Sequence, residues 1–175
     1  AQMVKVGYLT EAESLQLIEQ PVRNFELFYR PEASRKIYEL TRGYPHLIQS
    51  LCFELVMLKN EQPSGERFLA NLTDIENAAQ RSLISSSFFF NDQRQTQIPR
   101  AASEMLDGLA LLGPGAVIGP KEWKLGFPRD FESNLAVLLK RDLIEAHQNG
   151  FRFQVELVRR WFAGQARHRS YSPPS

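Results

Sequence analysis

Leu40-Thr41-Arg42-Gly43-Tyr44-Pro45-His46-Leu47-Ile48-Gln49-Ser50-Leu51-Cys52 reads as the end of one helix, a tight corner and the start of a second, very apolar helix. Gly43 suits the position just past a helix end, where the backbone turns left-handed without a Cβ penalty. Pro45 suits the first turn of the next helix, because its missing N–H costs nothing there and its φ is already helical. Such a corner aims the amides and dipole of a fresh helix N-terminus at whatever lies in front of it. Local features leave two readings open: a corner that only packs, and one that faces a ligand.

Working outward, Thr10-Glu11-Ala12-Glu13 is a capping-box pattern opening a helix to about Gln20, with Leu15 and Ile18 inward. Pro31 opens a second helix, with Ala33, Ile37 and Leu40 on one face. The third helix runs from Pro45 to about Asn60; Phe53 and Met57 widen its apolar stripe almost all the way round, which makes it the expected central, most buried helix. After a loop at Pro63-Ser64-Gly65, Thr73-Asp74-Ile75-Glu76 reads as a second capping box opening a fourth helix. Ser85 to Ile98, with three serines, three phenylalanines and a polar run, reads as a connector whose aromatics are tacked onto a neighbouring surface.

The second half has another rhythm. A helix over Pro99–Leu112 puts Ala102, Met105, Leu106, Leu109 and Leu112 on one face, and Gly113-Pro114-Gly115 breaks it. A small helix fits Lys121–Leu125, and another starts at Pro128 or Arg129. Ile144 and Ala146 lead to a turn at Asn149-Gly150, from which Phe151, Phe153 and Val155 return with period two. Helices followed by a two-stranded wing form the winged-helix plan. Leu157, Val158, Trp161 and Phe162 mark a closing helix, and Arg167–Ser175 a frayed tail. The expected fold is mainly α: a four-helix lid, then a winged helix with one hairpin.

At 175 residues with 43% hydrophobic and 23% charged side chains, the chain can bury one good core or two small ones. A net charge of +1 gives no global field for nucleic acid or an anionic membrane. The single cysteine, Cys52, excludes an internal disulfide and a Cys-based zinc site, fits a reducing cytoplasm, and sits in an apolar run as an inert core thiol. No secretory signal is visible, and the longest apolar stretch, Leu47–Leu58, is too short to span a bilayer. Ala1 to Gly7 read as the end of a strand continued from something upstream, so the chain is expected to start inside a larger protein.

Taken in order, these pieces resemble the C-terminal half of an AAA+-type ATPase module of the STAND class, over roughly Val6 to Gly164. The matching residues are Leu9-Thr10-Glu11-Ala12-Glu13 with Glu19-Gln20-Pro21-Val22, Ile37 through Pro45, and His46 through Cys52. Leu138-Leu139-Lys140-Arg141-Asp142-Leu143-Ile144 and Phe151 through Trp161 look like the winged-helix end of such modules. The resemblance implies that the helical lid closes over a nucleotide held by an upstream P-loop core in cis. Gly43, Tyr44 and Pro45 would then line the adenine or ribose side, reporting whether ATP or ADP, with Mg²⁺, is bound to that core. His46 stands where AAA+ lids often carry a phosphate-sensing arginine. Gln154-Val155-Glu156 stands where some relatives have Met-His-Asp, making Val155 and Glu156 the winged-helix sensor position. Implied partners are effector or repeat domains and further copies of the protein.

The chain carries no Gly-x-x-x-x-Gly-Lys-Ser/Thr loop and no strand ending in paired acids, so no catalytic residue is expected in it. His46, His147 and His168 are far apart and none has a Cys or His at ligand spacing, so no metal site is expected. DNA is the rival partner, through Arg129, Arg152, Arg159 and Arg160. The presumed reading helix is neutral, however, with Arg129, Lys140 and Arg141 set against Asp130, Glu132 and Asp142. A winged helix that faces protein is therefore favoured over the DNA-binding module of an origin-binding-like or transcription-regulating ATPase. A plain interaction module is the third reading. The expected layout is 1–9 as the end of an upstream strand, 10–87 as lid, 88–98 as connector, 99–164 as winged helix and 165–175 as tail.

Overall fold

The computed structural model describes residues 7–20, 26–95 and 98–170. The expectations for residues 1–6, for Pro21-Val22 and for the last five residues lie outside these. The fold is mainly helical with one small antiparallel hairpin, and it divides into two compact units, 1–87 and 88–175.

In the first unit, α1 (Glu11–Ile18) starts where the Thr10 hydroxyl accepts the Glu13 N–H at 3.2 Å. β1 (Phe28–Tyr29) precedes α2 (Pro31–Thr41), whose Ala33, Ile37 and Leu40 are all buried. α3 (Pro45–Glu61) buries Leu47, Ile48, Leu51 and Leu55. Phe53 and Met57, expected to extend that buried stripe, instead face outward at 63% and 45% exposure. They lie across the helix axis from Leu51 and Leu55, on a face left open by the described residues.

A 3-10 turn (Ser64–Glu66) leads to β2 (Leu69–Ala70), which pairs in parallel with β1, Phe28 beside Leu69 and Tyr29 beside Ala70. α4 (Leu72–Ser85) carries its capping box two residues earlier than expected: Asn71 and Asp74 exchange side-chain and backbone hydrogen bonds at 3.0 Å each. The reason is tertiary. Asp74 is held by the buried Lys59 ammonium at 2.9 Å and by Gln62 at 2.9 Å, which places Asp74, not Glu76, at the third helical position. Lys59 also donates to the Leu69 carbonyl at 2.8 Å, so one buried cation joins α3, β2 and α4.

The second unit contains a helix where a connector was expected: α5 spans Ser87–Gln95, with Phe90 buried and stacked on Trp161 at 5.6 Å. α6 (Arg100–Leu111) buries Ala102, Met105, Leu106 and Leu109. Leu112 was expected on the same face; it lies past the last turn and is 59% exposed. Ile118 forms an isolated antiparallel bridge with Phe151, two bonds of 2.9 Å. α7 (Pro120–Gly126) and α8 (Phe131–Lys140) follow, then β3 (Ile144–His147) and β4 (Gly150–Phe153).

The hairpin turn falls on Gln148-Asn149, one residue earlier than expected, because Gly150 already pairs with His147. Gln148 takes the left-handed conformation at φ 51°. Gly150 is needed for a different reason: a Cβ there would lie 2.4 Å from the Ile118 carbonyl oxygen. α9 (Glu156–Ser170) buries Leu157, Val158, Trp161 and Phe162. The helix continues to Ser170 where a tail was expected from residue 165, and Ala166 is buried.

Candidate functional site

The corner between α2 and α3 turns on two consecutive left-handed residues, Arg42 at φ 51° and Gly43 at φ 80°. The Arg42 N–H closes on the Tyr38 carbonyl at 2.6 Å and the Tyr44 N–H on the Thr41 carbonyl at 3.0 Å, which ends α2 tightly. Pro45 occupies the first position of α3, and the Tyr44 side chain before it makes no capping hydrogen bond.

Gly43 is also bolted to the segment entering α1. The Leu9 N–H donates to the Gly43 carbonyl at 2.8 Å, and a Cβ on Gly43 would fall 2.1 Å from the Leu9 carbonyl oxygen. Next to it the Tyr8 and Tyr44 rings meet edge to face, 5.2 Å apart. No local signal announced this contact, since Leu9 and Gly43 are far apart in the chain.

Beside the corner lies an open groove of about 870 Å³, lined by Leu9, Leu17 and Pro45 with Glu13, Gln16, Glu19 and Gln20. The Ser34 hydroxyl donates to Glu19 at 2.9 Å, tying that wall to α2. Among the described residues the lining offers apolar faces, amides and carboxylates, and no cation. These side chains suit a flat ring and hydroxyl or amine donors. Tyr44 and Pro45 are half-buried, Gly43 is buried, and His46 is exposed.

The other expected site residues lie in the second unit. Val155 is buried in its core. Glu156 opens α9 with its carboxylate on the Arg159 guanidinium at 2.7 Å and within 3.4 Å of Arg160. Arg159 is itself buried, and it donates to the Ala110 carbonyl at 2.9 Å near the end of α6. Arg159 is thus engaged within the fold. Arg152 pairs with Glu145 across the hairpin at 2.9 Å. Of the four arginines, Arg129 alone is exposed and outside an ion pair among the described residues.

Cys52 is half-buried; burial pushes its thiol up to about 12, and a hydrogen bond with Tyr29 offsets only part of that shift. It is therefore a protonated thiol at neutral pH, with little nucleophile character. Burial also raises the Tyr29 hydroxyl well above its ordinary value. Among the described residues, no group of three or more His, Cys, Asp or Glu is arranged to hold a metal ion, and no helix is long and apolar enough to cross a membrane. No protein-family model matches the chain, and no curated protein matches it in sequence.

Proposed function

We propose that this chain is the regulatory lid and winged-helix part of a STAND-class ATPase, sensing the nucleotide held by a preceding P-loop core and relaying its state to oligomerisation or effector surfaces. The observation that carries the reading is the Arg42–Pro45 corner. It is a left-handed turn that opens α3 at Pro45 beside a groove suited to a base and sugar. Among the described residues the groove is lined by no cation, and phosphates and Mg²⁺ would fall to the preceding core. Residues Leu9, Leu17 and Pro45 would contact a ring, and Glu13 and Glu19 would accept from hydroxyl or amine groups.

The order α6, Ile118 bridge, α7, α8 and β3–β4 hairpin is the winged-helix order, which supports the finer reading of the second unit. A relay of this kind needs two states only a few kcal/mol apart, biased by contacts that differ between ADP and ATP.

The test is ADP release from the longer protein that carries the core. Pro45→Ala is expected to speed dissociation roughly tenfold, equivalent to about 1.4 kcal/mol, with unfolding hardly changed. Equal dissociation rates in variant and parent remove the corner's nucleotide role.

The DNA reading is weighed by titrating this chain with a duplex at physiological salt. Little binding is expected, because Arg152, Arg159 and Arg160 are engaged within the fold. Tight binding that falls steeply with added salt sinks the protein-facing winged helix.

A further inference from the structure

α5 is an unusual helix to find at all. Its sequence, Ser-Phe-Phe-Phe-Asn-Asp-Gln-Arg-Gln over Ser87–Gln95, is rich in aromatic, Asn and Asp residues of middling helix propensity. At nine residues it is too short to hold a helix alone in water. Its helicity therefore depends on docking against α6 and α9, to which Phe90 and Arg94 both contribute. Phe90 is 1% exposed and stacks on Trp161. Arg94 donates to Asp107 on α6 at 2.8 Å, with its guanidinium 5.4 Å from the centre of the Phe162 ring. Phe88, by contrast, is 86% exposed.

Asp107 is the centre of this arrangement. The same carboxylate oxygen that accepts from Arg94 also accepts from Arg169, in the last turn of α9, at 2.7 Å. Arg94 and Asp107 are shielded, with side chains 13% and 15% exposed, whereas Arg169 is 53% exposed. Arg94 is the arm that holds α5 down.

We propose that α5 is a releasable strap, helical while Asp107 clasps Arg94 and an open connector when the clasp lets go. α5 begins at Ser87, where the first compact unit ends. Release thus lengthens the stretch of chain over Ser87–Gln95. Nine residues span about 13 Å as helix and about 30 Å extended. This inference stands apart from the nucleotide reading, because it rests only on residues of α5, α6 and α9.

Hydrogen exchange on this chain tests it, with Asp107→Asn and Arg94→Gln as separate variants. Each is expected to speed exchange of the α5 amides by about tenfold or more, leaving the central amides of α6 and α9 at parental rates. Unchanged α5 exchange in either variant overturns the clasp. An equal rise across α5, α6 and α9 also overturns it, since the pair would then be an ordinary support of the whole unit.

Discussion

Gly43→Ala is expected to destabilise the first unit by about 3 kcal/mol or more, a left-handed non-glycine residue alone costing about 1–3 kcal/mol. The remainder comes from the clash. The new Cβ would sit 2.1 Å from the Leu9 carbonyl oxygen, a backbone atom that can yield only if the entry to α1 moves. The Leu9–Gly43 hydrogen bond is lost in that movement. Hydrogen exchange localises the effect: amides of α2 and α3 should lose protection while those of α6 serve as reference. A loss below about 1 kcal/mol would show that the Leu9 segment adapts and that the interlock is soft.

Asp74→Ala is expected to be costlier still, about 3–5 kcal/mol, the usual penalty for stranding a buried charge. Lys59 is 2% exposed, and it would keep only the Leu69 carbonyl as partner. The Asn71 N–H and the Gln62 amide would each lose an acceptor at the start of α4. Replacing both ends of the pair, as in Lys59→Met with Asp74→Leu, should cost clearly less than Asp74→Ala alone, because no charge is left unpaired. Denaturant unfolding of the single and double variants checks this; a double variant as unstable as the sum of its parts removes the coupling.

The same carboxylate gives a pH signature. Burial by itself raises the Asp74 pKa, but hydrogen bonds from Gln62, the Asn71 N–H and Lys59 outweigh it and hold the group below its ordinary value. A carboxylate depressed in the folded state adds stability above its unfolded pKa of about 3.9, and that stability is lost as pH falls through the folded value. The parent should therefore lose stability on acidification more steeply than Asp74→Ala. Parallel acid-unfolding curves would show that other carboxylates dominate.

Both substitutions act on features of different legibility. Gly43 and Pro45 were readable as a corner because the constraints are local: a missing Cβ and a fixed φ. The periodicity of α2, α3, α6 and α9 was readable for the same reason. The Asn71–Asp74 box lies two residues before the expected one because Thr73 and Glu76 satisfy the same local pattern, and Lys59 and Gln62, distant along the chain, select between them. Phe53 and Met57 looked buried because an apolar side chain carries no record of whether a neighbour will cover it.

α5 shows the limit most clearly. By composition residues 88–98 are a connector, and short-range preference alone would leave them so. Phe90 finds Trp161 and Arg94 finds Asp107 only once α6 and α9 are packed. Arg159, readable as a free cation on a helix, is likewise drawn inside by Glu156 and the Ala110 carbonyl forty-nine positions away. What this sequence determined alone was its helices other than α5, its left-handed corner and its hairpin, all set by interactions within a few residues. The tertiary structure decided which charges are spent on the fold, which apolar faces stay open and that the connector is a docked helix, because those outcomes depend on burial and on partners distant along the chain.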